Sequence, residues 1–242
     1  MTQSGNTAKA VGGWLATAVQ LAIMTALTAV VIPAIPPKAA VYGGVLYQVL
    51  FLGRIALLVL VATAFMQMRG LRWRDLGLRG VKPGRFFLAV LLGFVAAVLF
   101  AAMARLALKA SGVTAAPDYS MFAPLHGNLE LYLFFLIPVT WGSAAFGEEM
   151  LFRGYFLDAI RRLLMVDAWP ATLLAVLVQA ALFGALHLYQ GPAGAATAGA
   201  IGLAFGLAWW VSGRNLWAGI LLHGIFDSMA MTAAYLGYMS HH

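Results

Sequence analysis

Two adjacent carboxylates and an arginine interrupt an otherwise apolar stretch of the sequence, GEEMLFRGYF. If the stretch is helical, Glu149 and Arg153 lie four residues apart on one face, in the favourable order for an ion pair. Glu148 lies roughly 100° around the helix from Glu149 and points elsewhere. An acid in a partly dry site, beside a second acid, holds its proton more tightly than in water, which suits a general base. A charge cluster at the end of a membrane helix is the alternative interpretation.

Two further pairs of residues stand one helical turn apart. The stretch FGALH ends in His187, four residues after Phe183, and HGIFD joins His223 to Asp227 at the same spacing. A single histidine near a helix end is often only a hydrogen-bonded polar residue, so His187 alone indicates little. A histidine and an acid inside one apolar helix are costly to bury, and such residues generally mark a functional site.

A reactive carboxylate and two imidazoles are the components of a hydrolytic site. A carboxylate can deprotonate water, and imidazoles can position that water, stabilise an oxyanion or bind a metal. The sequence excludes a cysteine nucleophile because it has no cysteine, and it contains neither GxSxG nor HExxH. A transporter uses the same residue types, but it should show matching repeat halves, and the polar clusters here occupy only the C-terminal half.

The helices that carry these residues must bring them together. Glu148 and His187 are about equally distant from a turn predicted near Asp167–Pro170, so an antiparallel hairpin would place them level. His223 lies on a later helix. It reaches the same depth only if a helix is tilted or if the chain breaks around Gly191–Pro192.

The composition indicates that these helices cross a membrane. Of the 242 residues, 63% are hydrophobic and 10% are charged, with a mean hydropathy of +0.89, whereas about a quarter of a soluble domain is charged. The pattern predicts an all-α polytopic membrane bundle of about seven to eight transmembrane helices, forming a single domain over 1–242. The predicted spans are Trp14–Ile35, Val45–Met66, Phe86–Leu108, Leu131–Phe146, Pro170–Leu188, Ala193–Val211 and Leu216–Tyr238.

The net charge of +7 is better explained by membrane topology than by nucleic-acid binding. The loop Met68–Arg85 carries six basic residues and one acid, and cytoplasmic loops are enriched in Lys and Arg. We therefore expect this loop and the N-terminus to lie on the cytoplasmic side. The lipid bilayer is an expected partner, and nucleic acid is not.

The segment Pro117–Glu130 is a candidate surface helix on the other side. Arg54, inside the second span, is expected to have a structural partner or to reach the interface.

In their order along the chain, the three clusters resemble the motifs of a known family, the type II CAAX prenyl endopeptidases and their bacterial relatives, the CPBP or Abi intramembrane proteases. The family pattern is a double glutamate with an arginine four residues after the second acid, then Phe-x-x-x-His, then His-x-x-x-Asn or Asp. The resemblance covers a core at approximately 131–239, and LGLRG at Leu76–Gly80 resembles a loop that precedes this core. The matching motifs are Glu148-Glu149-x-x-x-Arg153, Phe183-x-x-x-His187 and His223-x-x-x-Asp227.

The resemblance implies an intramembrane endopeptidase that hydrolyses peptides or segments of membrane proteins. Glu148 would activate the attacking water with help from His187, and His223 and Asp227 would stabilise the oxyanion. Supporting roles would fall to Glu149, Arg153 and Phe183.

The resemblance leaves the use of a metal open. The family is often described as metalloproteases, and a zinc ion could be held by Glu148, His187, His223 and Asp227. A metal-free glutamate mechanism fits the same residues and needs no extra ligand. Asp227 takes the rarer option at its position, and an ionised aspartate cannot donate a hydrogen bond. It would therefore be protonated, orient a charged His223 or bind a metal.

The natural substrate does not follow from the resemblance. A small cysteine-free chain of this kind looks bacterial, which predicts a multi-pass protein of a bacterial inner membrane. Some members of the family are associated with bacteriocin self-immunity or act as scaffolds. A non-catalytic membrane scaffold or a self-immunity protein is therefore the alternative function, and a transporter is a more distant third.

Overall fold

The computed structural model describes residues 2–165 and 168–239, with side chains described from residue 13 onward. In these residues all regular elements are helical. Asp167, in the predicted turn, lies outside the described residues, between α6 and α7. The elements are α1 (Thr2–Ala34), α2 (Pro37–Tyr42), α3 (Gly44–Met68), α4 (Pro83–Ala110), a 3₁₀ helix (Ser120–Leu125), α5 (Leu129–Phe134), two π-helical stretches (Phe135–Glu148 and Met150–Phe156), α6 (Leu157–Leu163), α7 (Trp169–Ala185), a 3₁₀ turn (Leu188–Gln190), α8 (Gly191–Val211) and α9 (Leu216–Tyr235).

The predicted polytopic helical bundle is confirmed. One predicted span, Pro170–Leu188, corresponds to α7, which has 17 residues. A helix of that length extends about 25 Å, less than the roughly 30 Å hydrocarbon core of a bilayer. In the described chain, six helical stretches are long and apolar enough to cross a membrane: Gly13–Tyr42, Gly44–Met68, Pro83–Ala110, Leu129–Leu163, Leu188–Val211 and Leu216–Tyr235.

The helix that carries the paired acids is longer than the sequence pattern indicated. The predicted span ends at Phe146, because charged residues follow. In the structure the helical stretch continues from Leu129 to Leu163, and we call it the site helix. Glu149 and Arg153 in this helix are completely buried, so these charges do not mark the membrane surface.

The site helix lies at the centre of the bundle, where its π-helical stretches pack against α3, α7 and α9. Leu151, Phe152, Tyr155 and Phe156 are almost fully buried in this packing. The peripheral helices present large apolar side chains on the outside, as a lipid environment requires. Examples on α3 and α4 are Val45, Leu60, Leu91 and Leu106.

Helices α7 and α8 approach each other closely because small residues lie between them. A Cβ atom on Gly184 would lie 2.7 Å from the carbonyl oxygen of Ala195 and 3.0 Å from the Cα of Gly199. The chain breaks between the two helices at Gly191, whose φ of 78° favours glycine. The break that the sequence suggested around Gly191–Pro192 is therefore present.

Connecting segments gather at the two ends of the bundle. We call one the cavity end, which consists of residues 35–43, 111–128, 186–190 and 236–239. Backbone hydrogen bonds join its segments, from Asp118 N to Gln190 O (3.0 Å) and from Gly127 N to Tyr235 O (3.1 Å). The predicted surface helix is here only the 3₁₀ helix Ser120–Leu125, and Phe122 within it is buried.

The opposite end, which we call the basic end, contains residues 69–82 and 212–215. The loop with the LGLRG sequence lies against the turn between α8 and α9. Leu216 N donates to Gly77 O at 3.0 Å, and the Asn215 amide donates to Arg79 O at 2.6 Å. The Arg79 and Arg85 guanidinium groups donate to Gly213 O and Val211 O. The loop therefore fixes the position at which α9 begins.

Candidate active site

A cavity of about 300 Å³ lies among the site helix, α3, α7, α8 and α9. Phe51, Phe135, Phe205 and Met231 give its wall a mainly apolar character. The wall also carries a small group of residues that can transfer protons or hold charge. They come from distant parts of the sequence and are Arg54, Glu148, His187, His223 and Asp227. The cavity therefore brings together the three polar clusters of the sequence.

The two glutamates occupy different environments on the site helix. This part of the helix has i→i+5 hydrogen bonding rather than the α-helical pattern assumed from sequence, and π-helical turns are frequent at functional sites. Glu149 has no exposed surface. Glu148 is partly exposed and lines the cavity. One acid is therefore enclosed by protein, and the other is available to a molecule in the cavity.

Glu149 is held by a buried ion pair. Arg153 Nη1 lies 2.7 Å from Glu149 Oε1, and both side chains are fully buried. The other terminal nitrogen, Nη2, donates to Gly202 O at 3.0 Å. The guanidinium also lies over the Phe183 ring, with 4.7 Å between the guanidinium carbon and the ring centre. Phe183, expected to support the site, is thus in contact with the arginine.

His223 connects the buried pair to the cavity. Its Nδ1 lies 3.0 Å from Glu149 Oε1, and its Nε2 lies 3.5 Å from Asp227 Oδ2. The Asp227 side chain is 38% exposed, so this acid faces the open part of the cavity. Since ionised carboxylates only accept hydrogen bonds, both nitrogens of His223 donate when both acids are ionised. The contact between His223 and Glu149 was not predicted.

His187 follows the last turn of α7 and is partly exposed in the cavity wall. Its Nδ1 lies 2.8 Å from the carbonyl oxygen of Phe183. A carbonyl oxygen can only accept, so Nδ1 carries the proton, and Nε2 of the neutral ring is an acceptor. Such a nitrogen can accept a hydrogen bond from a water molecule.

Arg54 has the structural partner that its position inside a span suggested. Its Nη1 donates to the carbonyl of Ile32 at 2.9 Å and also to that of Ile35. These carbonyls are at the end of α1, where Pro36 lacks the N–H that would bond Ile32 O. The guanidinium stacks on the Phe51 ring at 3.5 Å from its centre. Arg54 therefore joins α1 to α3 and also places a positive charge in the cavity wall.

Two tyrosines of the cavity wall were not identified from the sequence. Tyr189, in the 3₁₀ turn after α7, accepts a hydrogen bond from the Gln190 amide at 3.2 Å. Tyr119 lies in the long segment before the site helix, and burial raises the pKa of its phenol while the nearby Arg105 opposes that rise. Neither stands at a diagnostic spacing, so only the folded chain shows their position.

Comparison with known families supports the motifs of the sequence. Residues 130–229 match the model of the family described as type II CAAX prenyl endopeptidase Rce1-like. The match covers 100 of the 242 residues, and in that segment the chain is similar to this family. The matched segment contains all three motifs, and the similarity supports protease activity in general. Comparison with curated proteins gave no match, and comparison with solved structures gave none either.

A metal ion in this site would need several ligands that converge. Among the described residues, no group of three or more His, Asp or Glu side chains is placed to hold one. As placed, the described side chains do not form the zinc shell considered from the sequence, and we derive no step through a metal.

Proposed function

We propose that the protein is an intramembrane endopeptidase in which Glu148 activates water for hydrolysis of a peptide bond. The observation that carries the proposal is the convergence of Glu148, His187, His223 and Asp227 in one cavity. The cavity is lined mainly by apolar side chains, and charges in such surroundings interact more strongly than in water. Peptides or segments of membrane proteins are the substrate class.

The first step needs a base and an oriented water molecule. Glu148 removes a proton from water while the oxygen attacks the carbonyl carbon of the substrate. The free Nε2 of His187 accepts a second hydrogen bond from the same water and orients it. The carbonyl oxygen then carries the negative charge of the tetrahedral intermediate.

The second step needs stabilisation of that oxygen and protonation of the leaving nitrogen. His223 Nε2 is the hydrogen-bond donor for the oxyanion, and Asp227, whose Oδ2 lies 3.5 Å from that nitrogen, orients the ring. Collapse of the intermediate breaks the C–N bond, and Glu148 returns its proton to the amine. The Glu149–Arg153 pair does not touch the substrate, and it holds His223 through Nδ1.

Replacement of Glu148 tests the proposal. The purified protein in lipid nanodiscs is incubated with a peptide library, and new termini are identified by mass spectrometry. Glu148→Gln should reduce cleavage by about 10²–10⁴-fold, the usual contribution of a general base. Its thermal stability should stay near that of the parent, because Glu148 is partly exposed and Gln has nearly the same shape.

Glu130→Gln is the matched control, since Glu130 is an exposed acid at the start of the same helix. It should cleave like the parent. Full activity in Glu148→Gln would remove Glu148 from the role of base. An inactive parent with every peptide would favour the scaffold function considered from the sequence.

A further inference from the structure

The loop residues that line the cavity all come from one end of the bundle. The wall includes residues from α2, from the segment before the site helix, from the turn after α7 and from the segment after α9. These residues are Pro37, Tyr119, Phe122, Tyr189, Gln190 and Met239. In the described chain, no residue of the basic end lines this cavity.

The short helix α7 ends at this cavity, which His187 and the turn after it line. Its 17 residues extend about 25 Å, several ångströms less than a bilayer core. If α7 begins at the opposite membrane surface, a helix of this length ends below the surface at the cavity end, which places His187 and the turn Leu188–Gln190 within the membrane. Irregular backbone at such depth is tolerated where it lines a water-filled cavity. The exposed face of Asp227 lies in the same space.

The basic end is closed beneath the site. Trp209, Leu216 and Ile220 form a buried cluster with Leu157 and Ile160 of the site helix. The loop of the basic end covers this cluster, and Trp73 packs against it. Glu149 and Arg153 lie on this inner side of the site and are completely buried. Packed side chains therefore separate the catalytic groups from this end.

Positive charge is distributed unevenly between the two ends. The cavity end and the helix ends beside it carry Arg105 and Lys109 of α4 and Lys38 of α2. The basic end and the adjoining helix ends carry three times as many basic residues: Arg69, Arg72, Arg74, Arg79, Lys82, Arg85, Arg161, Arg162 and Arg214. An excess of Lys and Arg in short loops marks the cytoplasmic side of a membrane protein.

We infer that the catalytic cavity opens to the extracytoplasmic face of the membrane, and that its substrates are peptides or chain segments presented on that face. That the peptides are substrates rests on the proposed function, whereas the position of the opening does not depend on it. Proteins that stay entirely in the cytoplasm are excluded as substrates. Exported peptides and the extracytoplasmic ends or loops of membrane proteins are included.

The absence of cysteine from the sequence makes thiol labelling a direct test. Three single variants are made in the full chain: Ser120→Cys next to the cavity residue Tyr119, Ala230→Cys in the cavity wall and Gly84→Cys at the basic end. Ser120 is exposed, Ala230 lines the cavity, and a Cβ on Gly84 has open space around it. Right-side-out spheroplasts and inverted membrane vesicles are each treated with an impermeant sulfonated maleimide.

The thiols at positions 120 and 230 should react in spheroplasts and stay unmodified in inverted vesicles, and the thiol at position 84 should show the opposite pattern. Reaction of the thiol at 230 only in inverted vesicles would overturn the inference. So would a thiol at 230 that is unreactive from both sides while the thiol at 120 reacts, because the cavity would then be closed at that end.

A second measurement separates this inference from the proposed function. A water-soluble peptide that the purified protein cleaves is added to spheroplasts or to inverted vesicles containing the parent protein. Cleavage should occur only with spheroplasts, and cleavage only with inverted vesicles would overturn the inference. If the purified protein cleaves no peptide while the labelling pattern is as expected, the proposed function fails and the position of the opening stands.

Discussion

Glu148 and Glu149 are adjacent residues of the same type, and the fold assigns them different surroundings. The sequence predicted the buried partner of Glu149, because a spacing of four residues brings Arg153 to the same face. It could not predict the contact between Glu149 and His223, since 74 residues separate them and no local spacing encodes the contact. Local pairs of the candidate site were thus predictable, whereas their connection required the packing of α9 on the site helix.

The buried pair should be sensitive to loss of its cation. Arg153→Ala leaves Glu149 without a countercharge in a site with no exposed surface. Breaking a buried pair on one side costs about 3–5 kcal/mol of unfolding free energy. The variant should therefore lose folded protein in detergent, measured by the thermal unfolding midpoint, and should lose peptide cleavage as well.

Arg162→Ala is the control, because it removes another arginine that pairs with an acid four residues before it. The Arg162 side chain is 47% exposed in its pair with Asp158, and exposed pairs contribute about 0–1 kcal/mol. A midpoint for Arg153→Ala as high as that of Arg162→Ala would show that the buried pair does not hold the site together.

Asp227 offers a test of the two mechanisms that the sequence left open. If Asp227 donates a hydrogen bond or orients His223, Asp227→Asn should retain substantial cleavage, because an amide has nearly the same shape and a permanent donor. If Asp227 is a metal ligand, the variant should lose both bound metal and activity. Elemental analysis of parent and variant, with cleavage assays in the presence and absence of a chelator, measures the difference. Stoichiometric zinc in an active parent and its loss in the variant would contradict the mechanism proposed here.

At the scale of elements, the length of hydrophobic runs predicted where most helices lie. It gave the wrong end for the site helix, because that helix continues through buried charged residues. The end of the predicted span at Phe146 assumed that the following acids face water, but Glu149 is enclosed. Hydropathy also does not distinguish π-helical from α-helical winding, because both satisfy the backbone in lipid. The break near Gly191 was predictable because glycine and proline adjoin there.

Close packing of α9 against the site helix explains why glycine occupies position 219. A Cβ there would collide with Glu149 Oε2. Gly219→Ala should therefore displace Glu149 or α9, at a cost of about 1–3 kcal/mol, which is typical of overpacking. The unfolding midpoint and peptide cleavage should both fall.

Gly53→Ala provides the comparison, since it lies inside α3 and a Cβ there meets nothing within 4 Å. This variant should match or slightly exceed the parent in stability, because alanine favours helix. Equal midpoints for Gly219→Ala and Gly53→Ala would show that the site helix can move away from α9 at little cost.

For the whole molecule, composition was sufficient to predict a membrane bundle, and motif order was sufficient to predict a family. The cavity was not predictable, because the loop residues in its wall have no periodic pattern. Tyr119 and Phe122 belong to a segment interpreted only as a candidate surface helix, yet both line the cavity. Hydropathy describes contact with lipid, and it gives no information on segments that fold back into the protein.

The orientation of the whole molecule in the membrane should depend on the exposed basic residues of the basic end, which can be replaced without disturbing the fold. Arg79 and Arg85 donate hydrogen bonds to the backbone carbonyls of Gly213 and Val211, so the variant leaves these two arginines unchanged. Arg72 is 75% exposed, with a long 3.9 Å contact to Asp75, and Arg74 and Lys82 are also exposed. Replacing these three with glutamine removes about 1 kcal/mol of attraction to an anionic leaflet per residue. In the Gly84→Cys background, a larger fraction of molecules should then react with the impermeant maleimide from outside the cell.

Lys38→Gln with Lys109→Gln is the control, because it removes positive charge from the cavity end. This pair should leave the labelling of the thiol at position 84 unchanged or reduce its outside fraction, since it increases the difference in charge between the ends. An outside fraction in the triple variant equal to that of the parent would mean that the three exposed residues do not set orientation. Orientation would then depend on the basic residues that remain, such as Arg79, Arg85 and Arg214.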